Sequence, residues 1–369
     1  MANDDIDSDR EWEKEVEAFE KTKAGVKGLV DSGISNIPRF FLVPQGTEKK
    51  TNEKTGLLQV TKIPIIDFDH GLSCGARRRP QIVREIREAC RDWGFFQMVN
   101  HGVPTSAMEA VLDATRKFHE QPNEMKTSLY SSNGRRNVRF YTINGHLKKP
   151  AVAGFRDAFS CTFTDDYLDP DSIPSICRKE ICEYMKHMME LRDVLSELLS
   201  EALGLSSDFL SRMECMKSEY LSCLYYPASP QPDKTCGTVN HFDPTILTVL
   251  VQDNCGGLQI HHEQNWIDVP SIPGALIANI GDLLQLITND KFKSVEHRVV
   301  ASSSRSRVST ACFFYPSSQE MVKACGPIKE LLSEENPALY RHVSYIEFVT
   351  HHQTNVHEGQ SALSNFRIM

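Results

Sequence analysis

The chain has 369 residues, of which 40% are apolar and 24% charged, and its formal net charge is -8 at pH 7. These values are typical of a globular protein, and the acidic balance without a long basic run argues against nucleic-acid binding. No stretch reaches the roughly 18 apolar residues that a membrane span needs. The first 20 residues are charged, unlike a secretory signal, and eleven cysteines without a CxxC pair favour reduced thiols. We therefore expect a cytoplasmic protein that binds neither nucleic acid nor membrane.

The first half of the chain combines helical periodicity with short apolar runs. Residues 1–25 predict a solvated helix that packs on the body through Trp12, Val16 and Phe19, and residues 45–60 predict a polar loop. Strands are predicted over 63–68, 94–104, 139–143 and 155–160. Helices are predicted over 80–93, 105–121 and 177–203.

After Gly204, short β-rich runs separated by turn residues replace the helical periodicity. These runs cover 221–226, 247–252, 257–261, 266–269, 276–280, 294–300 and 309–315. Their spacing predicts an antiparallel sandwich or barrel. Short helices are predicted over 328–333 and 343–352, and the histidine pairs at 261–262 and 351–352 are expected at the surface. His101 and Asp282 are interpreted as structural residues.

Two histidines and an aspartate are the candidate metal ligands. Residues i and i+2 of a strand face the same side, so His241 and Asp243 are expected to aim at one point. His297, from a later predicted strand, completes a set of two histidines and one carboxylate. This set is the facial triad of non-haem Fe(II) oxygenases, although zinc suits the same donors.

Arg307 and Ser309 repeat the same spacing ten residues after His297. A guanidinium fork beside a hydroxyl is suited to hold a carboxylate. A carboxylate clamp next to the triad favours an iron oxygenase with an acidic co-substrate over a zinc hydrolase.

Eight spaced segments carry a resemblance to a known family. They are GFFQMVNHG at 94–102, YYP at 225–227, HFDP at 241–244, GGLQ at 256–259, PGAL at 273–276, NIGDLLQ at 279–285, SVEHRV at 294–299 and RVS at 307–309. Through them the chain resembles the plant 2-oxoglutarate/Fe(II)-dependent dioxygenases. It is most similar to the branch of the 1-aminocyclopropane-1-carboxylate oxidase homologues, desacetoxyvindoline 4-hydroxylase and the benzoxazinoid dioxygenase.

The resemblance implies a mixed α/β fold with a mainly β core. That core is a double-stranded β-helix, or jelly roll, with N-terminal helices packed on it and further helices at the C-terminus. We expect one compact unit with four parts. They are a leader helix and loop over 1–57, an N-terminal dioxygenase region over 58–205, the jelly-roll core over 206–325, and C-terminal helices with a lid over 326–369.

The resemblance also implies roles for individual residues. The Fe(II) ligands, which are also the catalytic residues, are His241, Asp243 and His297. The residues expected to bind 2-oxoglutarate are Arg307, Ser309 and Tyr226. Leu224 stands where many relatives carry an asparagine near the co-substrate, so one hydrogen bond is expected to be missing.

Five residues are candidates for contacts with the substrate. By strand parity Phe313 shares a face with Arg307, so it is expected to look into the cavity. Tyr141 and Ile143 lie in a segment that resembles the substrate-facing strand of the family. Phe242 replaces the small residue usual between the two ligands, and Phe366 is a candidate lid in the tail.

The implied reaction consumes 2-oxoglutarate and O2, with ascorbate as reductant, and releases succinate and CO2. A monomer is expected to hydroxylate a bulky plant specialised metabolite. Desaturation, epoxidation, demethylation and ring rearrangement are alternative outcomes of the same chemistry. An ascorbate-dependent ethylene-forming type of oxidase and a catalytically inactive metal-binding receptor are further alternatives.

Overall fold

The structure, a computed structural model, describes residues 2–44, 62–68, 78–145, 147, 151–355 and 361–368. The predicted polar loop over 45–60 lies outside these residues. In the described part, a helical first half precedes a β-rich second half, as predicted. None of the described helices is long and apolar enough to cross a membrane.

The helices and strands of the described residues are numbered here in chain order. The α-helices are α1 Ala2–Thr22, α2 Gly25–Asp31, α3 Arg79–Asp92, α4 Thr105–Glu120, α5 Arg178–Ala202, α6 Phe209–Arg212, α7 Asp282–Ile287 and α8 Tyr345–Asn355. The strands are β1 Ile65–Asp67, β2 Phe95–Val99, β3 Val138–Tyr141, β4 Asp157–Phe163, β5 Ser218–Tyr226, β6 Cys236–His241, β7 Leu247–Gln252, β8 Leu258–His262, β9 Asn265–Asp268, β10 Leu276–Ile280, β11 His297–Val300, β12 Arg307–Tyr315, β13 Ala324–Cys325 and β14 Val343–Ser344.

Two sheets form the core of the fold. The main sheet has eight strands in the order β1-β2-β10-β7-β12-β5-β4-β3, and the minor sheet has four in the order β6-β11-β8-β9. Within the two sheets neighbouring strands are antiparallel, except for the parallel pair β1 and β2. Apolar residues of both sheets, such as Leu250 and Ala311 from one and Ile260 from the other, pack in one cluster between them. The predicted jelly roll is confirmed.

The main sheet has two faces with different surroundings. On β12, Ala311 and Phe313 point to the cluster between the sheets, which we call the inner face. Cys312 and Phe314 point to the larger cluster beneath the helices, which we call the outer face. This alternation follows from the pleat of a strand and confirms the parity predicted for Phe313.

Helices α3, α4 and α5 cover the outer face. They pack on one another, and α4 also contacts β12 and β5. The apolar stripe of α5 is buried there through Met185, Leu195 and Leu199. An amphipathic helix gains most of its stability from such a buried face.

The leader is fixed to the body by a small aromatic cluster and a cap. Trp12 and Phe19 of α1 are buried in that cluster, as the spacing predicts. The carboxylate of Asp157, at the start of β4, accepts the backbone N–H groups of Val26 and Lys27 at 2.8 Å each. A carboxylate on the free N–H groups of a helix N-terminus satisfies donors that have no partner within the helix.

Strand β6 and helix α7 are absent from the sequence predictions. Strand β6 was missed because Gly237 and Asn240 interrupt its β-forming run. Helix α7 begins after Gly281, where a Cβ would lie 2.0 Å from the carbonyl oxygen of Thr245. Only a glycine permits this close approach, which ties α7 to the segment after β6.

The C-terminal predictions need two corrections. The predicted helix over 328–333 is a single 3-10 turn, Lys329–Leu331. The predicted helix over 343–352 starts later, at Tyr345, because Val343 and Ser344 pair with β13.

Candidate active site

Strands β6 and β11 bring the three predicted metal ligands together. His241 ends β6 and lies directly opposite His297, the first residue of β11. Asp243 Oδ1 is 3.6 Å from the Nε2 atom of each histidine. One possible ligand atom from each of the three residues lies within 4.8 Å of the other two.

The position of Asp243 does not come from strand pleating, which corrects the sequence argument. Strand β6 stops at His241, and the following segment is held from behind by the start of α7. The backbone N–H of Asp282 donates to the carbonyl of Asp243 at 2.7 Å, and that of Leu283 donates to the carbonyl of Thr245 at 3.2 Å. Asp282 is buried here, in agreement with its predicted structural role.

Backbone carbonyls set the orientation of both imidazoles. Nδ1 of His241 is 2.9 Å from the carbonyl oxygen of Val239, and Nδ1 of His297 is 3.0 Å from that of Val295. A carbonyl only accepts, so each Nδ1 carries the proton and each Nε2 presents a lone pair to the common point. This is the arrangement that metal-binding histidines use.

The carboxylate of Asp243 is fixed through one oxygen. Oδ2 accepts hydrogen bonds from Thr248 Oγ1 at 2.6 Å and from Asn279 Nδ2 at 2.8 Å. Oδ1 therefore remains directed at the histidines. Neither Thr248 nor Asn279 was predicted from the sequence. The alternation of strand β7 indicates that Thr248 faces the same side as Leu250, but not that it contacts Asp243.

Electrostatics favour a cation at this point. Burial, together with the neighbouring His297, lowers the pKa of His241 to about 3, so His241 is neutral at pH 7. Burial alone would raise the pKa of Asp243, but the two histidines, Thr248 and Asn279 hold it below its ordinary value. A neutral imidazole and an ionised carboxylate are the protonation states that a divalent metal requires of its ligands. With only three protein donors, the set fits an iron centre that keeps positions for other ligands.

Arg307 lies on the inner face with only neutral partners. Its guanidinium donates to Gly256 O at 2.7 Å, Ser309 Oγ at 2.9 Å and Gln252 Oε1 at 2.8 Å. It lies 4.8 Å from the ring centroid of Tyr226, the residue opposite it on β5. No carboxylate of the described ranges forms an ion pair with it, so its charge is available to an acidic ligand.

Three other residues around this clamp bear on the co-substrate site. Gln252, which the sequence analysis missed, lies opposite Ser309, and its Nε2 is buried without a hydrogen-bond partner among the described residues. Leu224 lies opposite Ser309 on the other side, so an apolar side chain does face the clamp. The Tyr226 hydroxyl is 3.2 Å from Thr238 Oγ1.

Two predicted substrate residues lie on the inner face of the main sheet. The ring of Phe313 contacts that of Tyr220, with 5.9 Å between centroids. The Tyr220 hydroxyl is in turn 2.7 Å from the hydroxyl of Tyr141. A continuous wall therefore runs from Phe313, beside Thr248, across to β3.

Phe242 lies between the two ligands and is half-buried. The ring of His352 hydrogen-bonds its carbonyl, and burial lowers the pKa of His352. The C-terminal part of α8 therefore lies beside the metal segment, and His352 is half-buried, less exposed than expected. The other histidine pair is also half-buried, and His262 stacks on the partly exposed Trp93 at 3.9 Å.

Two other substrate candidates have different surroundings. Ile143 is buried in the leader cluster with Phe155, away from the cluster between the sheets. Phe366 is 2% exposed and packs on Phe348 at 5.0 Å, so its ring is buried in the core in this structure. Contacts of Ile143 and Phe366 with a substrate remain proposals. His101 is structural as predicted, since its Nε2 is 3.0 Å from the carbonyl of Gly274.

Comparisons with known proteins agree with this geometry. Residues 213–316 match the 2OG-Fe(II) oxygenase superfamily, and residues 63–177 match the N-terminal region described as non-haem dioxygenase in morphine synthesis. The chain is 46% identical to 1-aminocyclopropane-1-carboxylate oxidase homolog 11 of Arabidopsis thaliana, over 100% of both chains. It is 45% identical to deacetoxyvindoline 4-hydroxylase of Catharanthus roseus, over 98% of this chain and 90% of the relative. A crystal structure of JOX2 in complex with 2OG, Fe and JA superposes with a TM-score of 0.80 at 31% identity, covering 94% of this chain and 98% of that chain.

Proposed function

The chain belongs to the 2OG-Fe(II) oxygenase superfamily, and on that premise we propose that it hydroxylates an aliphatic carbon of a bulky plant specialised metabolite. It is a 2-oxoglutarate-dependent dioxygenase, with Fe(II) and 2-oxoglutarate as its cofactor and co-substrate. The observation that carries the proposal is the pairing of two features on one inner face. One is a triad whose free donor atoms converge, and the other is a buried arginine without an acidic partner among the described residues.

The proposal assigns a role to each side chain of the site. His241, Asp243 and His297 hold the iron, with Thr248 and Asn279 fixing the carboxylate. With 2-oxoglutarate and O2, the iron supplies an oxidant strong enough for an aliphatic C–H bond, and succinate and CO2 are released.

The clamp residues hold the co-substrate in this proposal. Arg307 and Ser309 bind its distal carboxylate, and Tyr226 supports it from β5. A guanidinium and a hydroxyl on one carboxylate give charge-assisted hydrogen bonds with fixed direction. The apolar wall around Phe313 positions the substrate carbon and excludes water.

The size of the substrate is inferred from relatives and from the wall of the cavity. Deacetoxyvindoline 4-hydroxylase is named for the hydroxylation of deacetoxyvindoline, and the JOX2 crystal structure is a complex with 2OG, Fe and JA. The aromatic wall of Phe313, Tyr220 and Tyr141 supports a bulky partner here as well. Phe242 remains a proposed contact on the opposite side.

Succinate formation in the presence of Fe(II), ascorbate, 2-oxoglutarate and a plant metabolite extract tests the proposal. We expect succinate to rise together with products that have gained one oxygen atom. Products that have lost two hydrogens or a CH2 unit would instead indicate desaturation or demethylation. Turnover that is independent of 2-oxoglutarate would favour the ethylene-forming type of oxidase, and no succinate with any extract would favour a receptor.

Asp243→Ala is the decisive variant. It removes the carboxylate donor, so we expect Mn(II) binding, followed by electron paramagnetic resonance, to weaken at least about 100-fold together with the loss of turnover. The free energy of unfolding should fall by no more than about 1–3 kcal/mol, because the buried donors of Thr248 and Asn279 lose their acceptor, and the protein should remain folded. Asp113→Ala, at an exposed position of α4, is the matched control. Turnover retained in Asp243→Ala would contradict the assignment.

The remaining expectations stay predictions. They are a monomeric state, a cytoplasmic location and the absence of a nucleic-acid partner. The boundaries of the four parts also stay a prediction.

A further inference from the structure

We infer that Arg139 binds a carboxylate of the substrate, so that the substrate class is a bulky organic acid oxidised at a carbon remote from its acid group. The inference rests on the proposed function and names the substrate class of that same site. Three observations support it: the position of Arg139 on the sheet, its hydrogen-bond partners, and the contrast with Arg192, a buried arginine that forms ion pairs.

Strand register places Arg139 on the inner face of the main sheet. It lies opposite Ser160 of β4, which lies opposite Ser222 of β5, which lies opposite Ala311 of β12. Directly opposite residues of antiparallel strands project to the same side. Arg139 therefore shares its face with Ala311 and with the co-substrate clamp at Ser309.

The guanidinium of Arg139 is buried with unmet hydrogen-bonding capacity. The residue is 3% exposed. Its Nη2 donates to Asn144 Oδ1 at 2.9 Å and to the Tyr220 hydroxyl at 3.3 Å, and the group stacks on Tyr141 at 4.1 Å. Nη1 has no partner in the part of the chain that the structure describes, and neither does the facing Ser160 hydroxyl. These two groups belong to paired positions of neighbouring strands on the inner face, and we call them the Arg139 patch.

Arg192 is a buried arginine with a structural role, and its ion pairs can be compared with those of Arg139. It is 5% exposed, close to the value for Arg139. Asp166, Asp193 and Glu219 all form ion pairs with it. Arg139 has no ion pair with any described carboxylate, and an unpaired buried charge is strongly unfavourable. A ligand that brings its own negative charge removes this disadvantage.

The patch is separate from the co-substrate clamp but continuous with it. Tyr220, which receives the Arg139 hydrogen bond, contacts Phe313, and Phe313 lies opposite Thr248, the partner of Asp243. In the sheet order, β3 lies three strands from β12. At about 4.8 Å per strand, the backbones of the two strands are roughly 14 Å apart. 2-Oxoglutarate is too short to reach both ends, so the occupant of the patch is the substrate.

A second cation of the interior is better assigned to the co-substrate end. Arg156 donates through Nε to Thr238 Oγ1 at 2.9 Å, and the same hydroxyl contacts Tyr226. Arg156 is therefore beside the clamp, and its Nη1, which also has no partner among the described residues, is assigned to 2-oxoglutarate. Arg139, which hydrogen-bonds Asn144 and Tyr220 instead, is the candidate for a substrate carboxylate.

Blocking of carboxyl groups tests the inference directly. The acidic fraction of a plant extract is divided, and one half is converted to methyl esters. Both halves are incubated with Fe(II), ascorbate and 2-oxoglutarate. We expect the enzyme to consume compounds from the free acids and to leave their methyl esters unchanged. Equal consumption of acids and esters would overturn the inference while leaving the proposed function intact.

The variants Arg139→Met and Arg139→Lys test the residue itself. The probe is one acid that the wild-type enzyme consumes in the preceding experiment. Arg139→Met should raise its half-saturating concentration at least about 30-fold, as expected when one partner of a buried charge pair is removed. Arg139→Lys should recover part of the loss. The affinity for 2-oxoglutarate and its slow decarboxylation without substrate should not change, since these depend on the Arg307 clamp.

Arg341→Met is the matched control, because Arg341 also stacks on an aromatic ring, that of Phe366 at 4.9 Å, but is exposed. An unchanged half-saturating concentration in Arg139→Met would overturn the inference. If Arg139→Met does not fold, the ester comparison and Arg139→Lys decide. If the enzyme forms succinate with the whole extract but consumes nothing from the free acids, the inference is overturned and the proposed function stands. Absence of succinate formation with the whole extract would contradict the proposed function, and the inference would fall with it.

Discussion

The inner and outer faces of the main sheet are built from the same strands but perform different tasks. On β12, the outer residues Cys312 and Phe314 are fully buried beneath helices. The inner residues Arg307 and Ser309 are also buried, yet they form a polar clamp with no acidic partner in the described chain. Because a strand alternates sides at every residue, one sheet can bury an apolar layer for stability and present a polar layer for chemistry.

The same contrast separates the buried arginines described above. Arg192, on the helix side, forms ion pairs with Asp166 and Glu219. Arg307 and Arg139, on the inner face, form no ion pair with a described carboxylate. A buried charge without a counter-charge is unfavourable, so we expect acidic ligands at these two positions.

The neighbouring residues Phe314 and Phe313 should respond differently to the same substitution. Phe314→Ala on the outer face should lower the free energy of unfolding by about 3–5 kcal/mol, because it leaves a cavity in a closed core. Phe313→Ala should cost less than about half of this, since Phe313 is only partly buried, but it should change substrate turnover. Denaturant unfolding measures both. Equal losses of stability would mean that the two faces are packed alike.

Arg307→Gln should weaken 2-oxoglutarate binding by about 30- to 100-fold, because it removes the cationic partner of a desolvated carboxylate. Calorimetry with Mn(II) in place of iron gives the affinity without turnover. The free energy of unfolding should not fall, since Arg307 has only neutral partners in the described chain. Arg305→Gln, at an exposed neighbouring position, is the control. An unchanged affinity would remove the clamp from the mechanism.

His119 gives the outer face a pH dependence of its own. Burial lowers its pKa to about 3, and its Nε2–H donates to the carbonyl of Cys223 at 3.0 Å. The folded protein therefore resists protonation that the unfolded chain accepts below its ordinary pKa of about 6.5. This stability is present above that pH and is lost as pH falls toward 3.

Between pH 6.5 and 5, the wild type should lose about 1.5 kcal/mol of unfolding free energy relative to His119→Gln. Glutamine retains a donor for the Cys223 carbonyl but cannot titrate. Urea unfolding at several pH values measures the difference, with the exposed His342→Gln as control. Parallel pH profiles for His119→Gln and the wild type would show that His119 is not the titrating group.

The smallest expected effect comes from two adjacent hydroxyls. Ser309→Ala should weaken 2-oxoglutarate binding about 5-fold, or about 1 kcal/mol, because one hydrogen bond to the clamp is lost. Thr310→Val should leave that affinity unchanged and instead cost about 1 kcal/mol of stability, since its hydroxyl contacts that of Thr115 on the outer face. Calorimetry and denaturant unfolding measure the two effects. The opposite result would mean that the two faces were assigned the wrong way round.

The sequence predicted the parts of the site that depend on spacing. The pairing of Arg307 with Ser309 and the parity of Phe313 could be found from positions alone. The H-x-D spacing identified His241 and Asp243, although the strand pleat is not what places Asp243. Thr248 and Asn279 could not be found, because their contacts with Asp243 depend on the turn after β6 and on the packing of β10. Periodicity indicates which side a residue faces but not which remote segment it meets.

The errors have a related cause. Ile143 lies in a bend just after β3, where the alternation of the strand has ended, and packing places both Ile143 and Phe366 in apolar clusters. His352 was expected at the surface, and it is half-buried. Its position beside Phe242 depends on how α8 packs, which no local pattern indicates.

The sequence by itself determined the order of helices before strands, the alternation of β12, and the identity of the triad and clamp residues. Tertiary structure alone decided that Asp243 is held by α7, that one of its oxygens stays free, and that Arg139 is buried without a described counterion. The reason is that covalent spacing fixes the directions of near neighbours. Contacts between distant segments depend instead on how whole sheets and helices pack, and they determine which buried groups remain for a ligand.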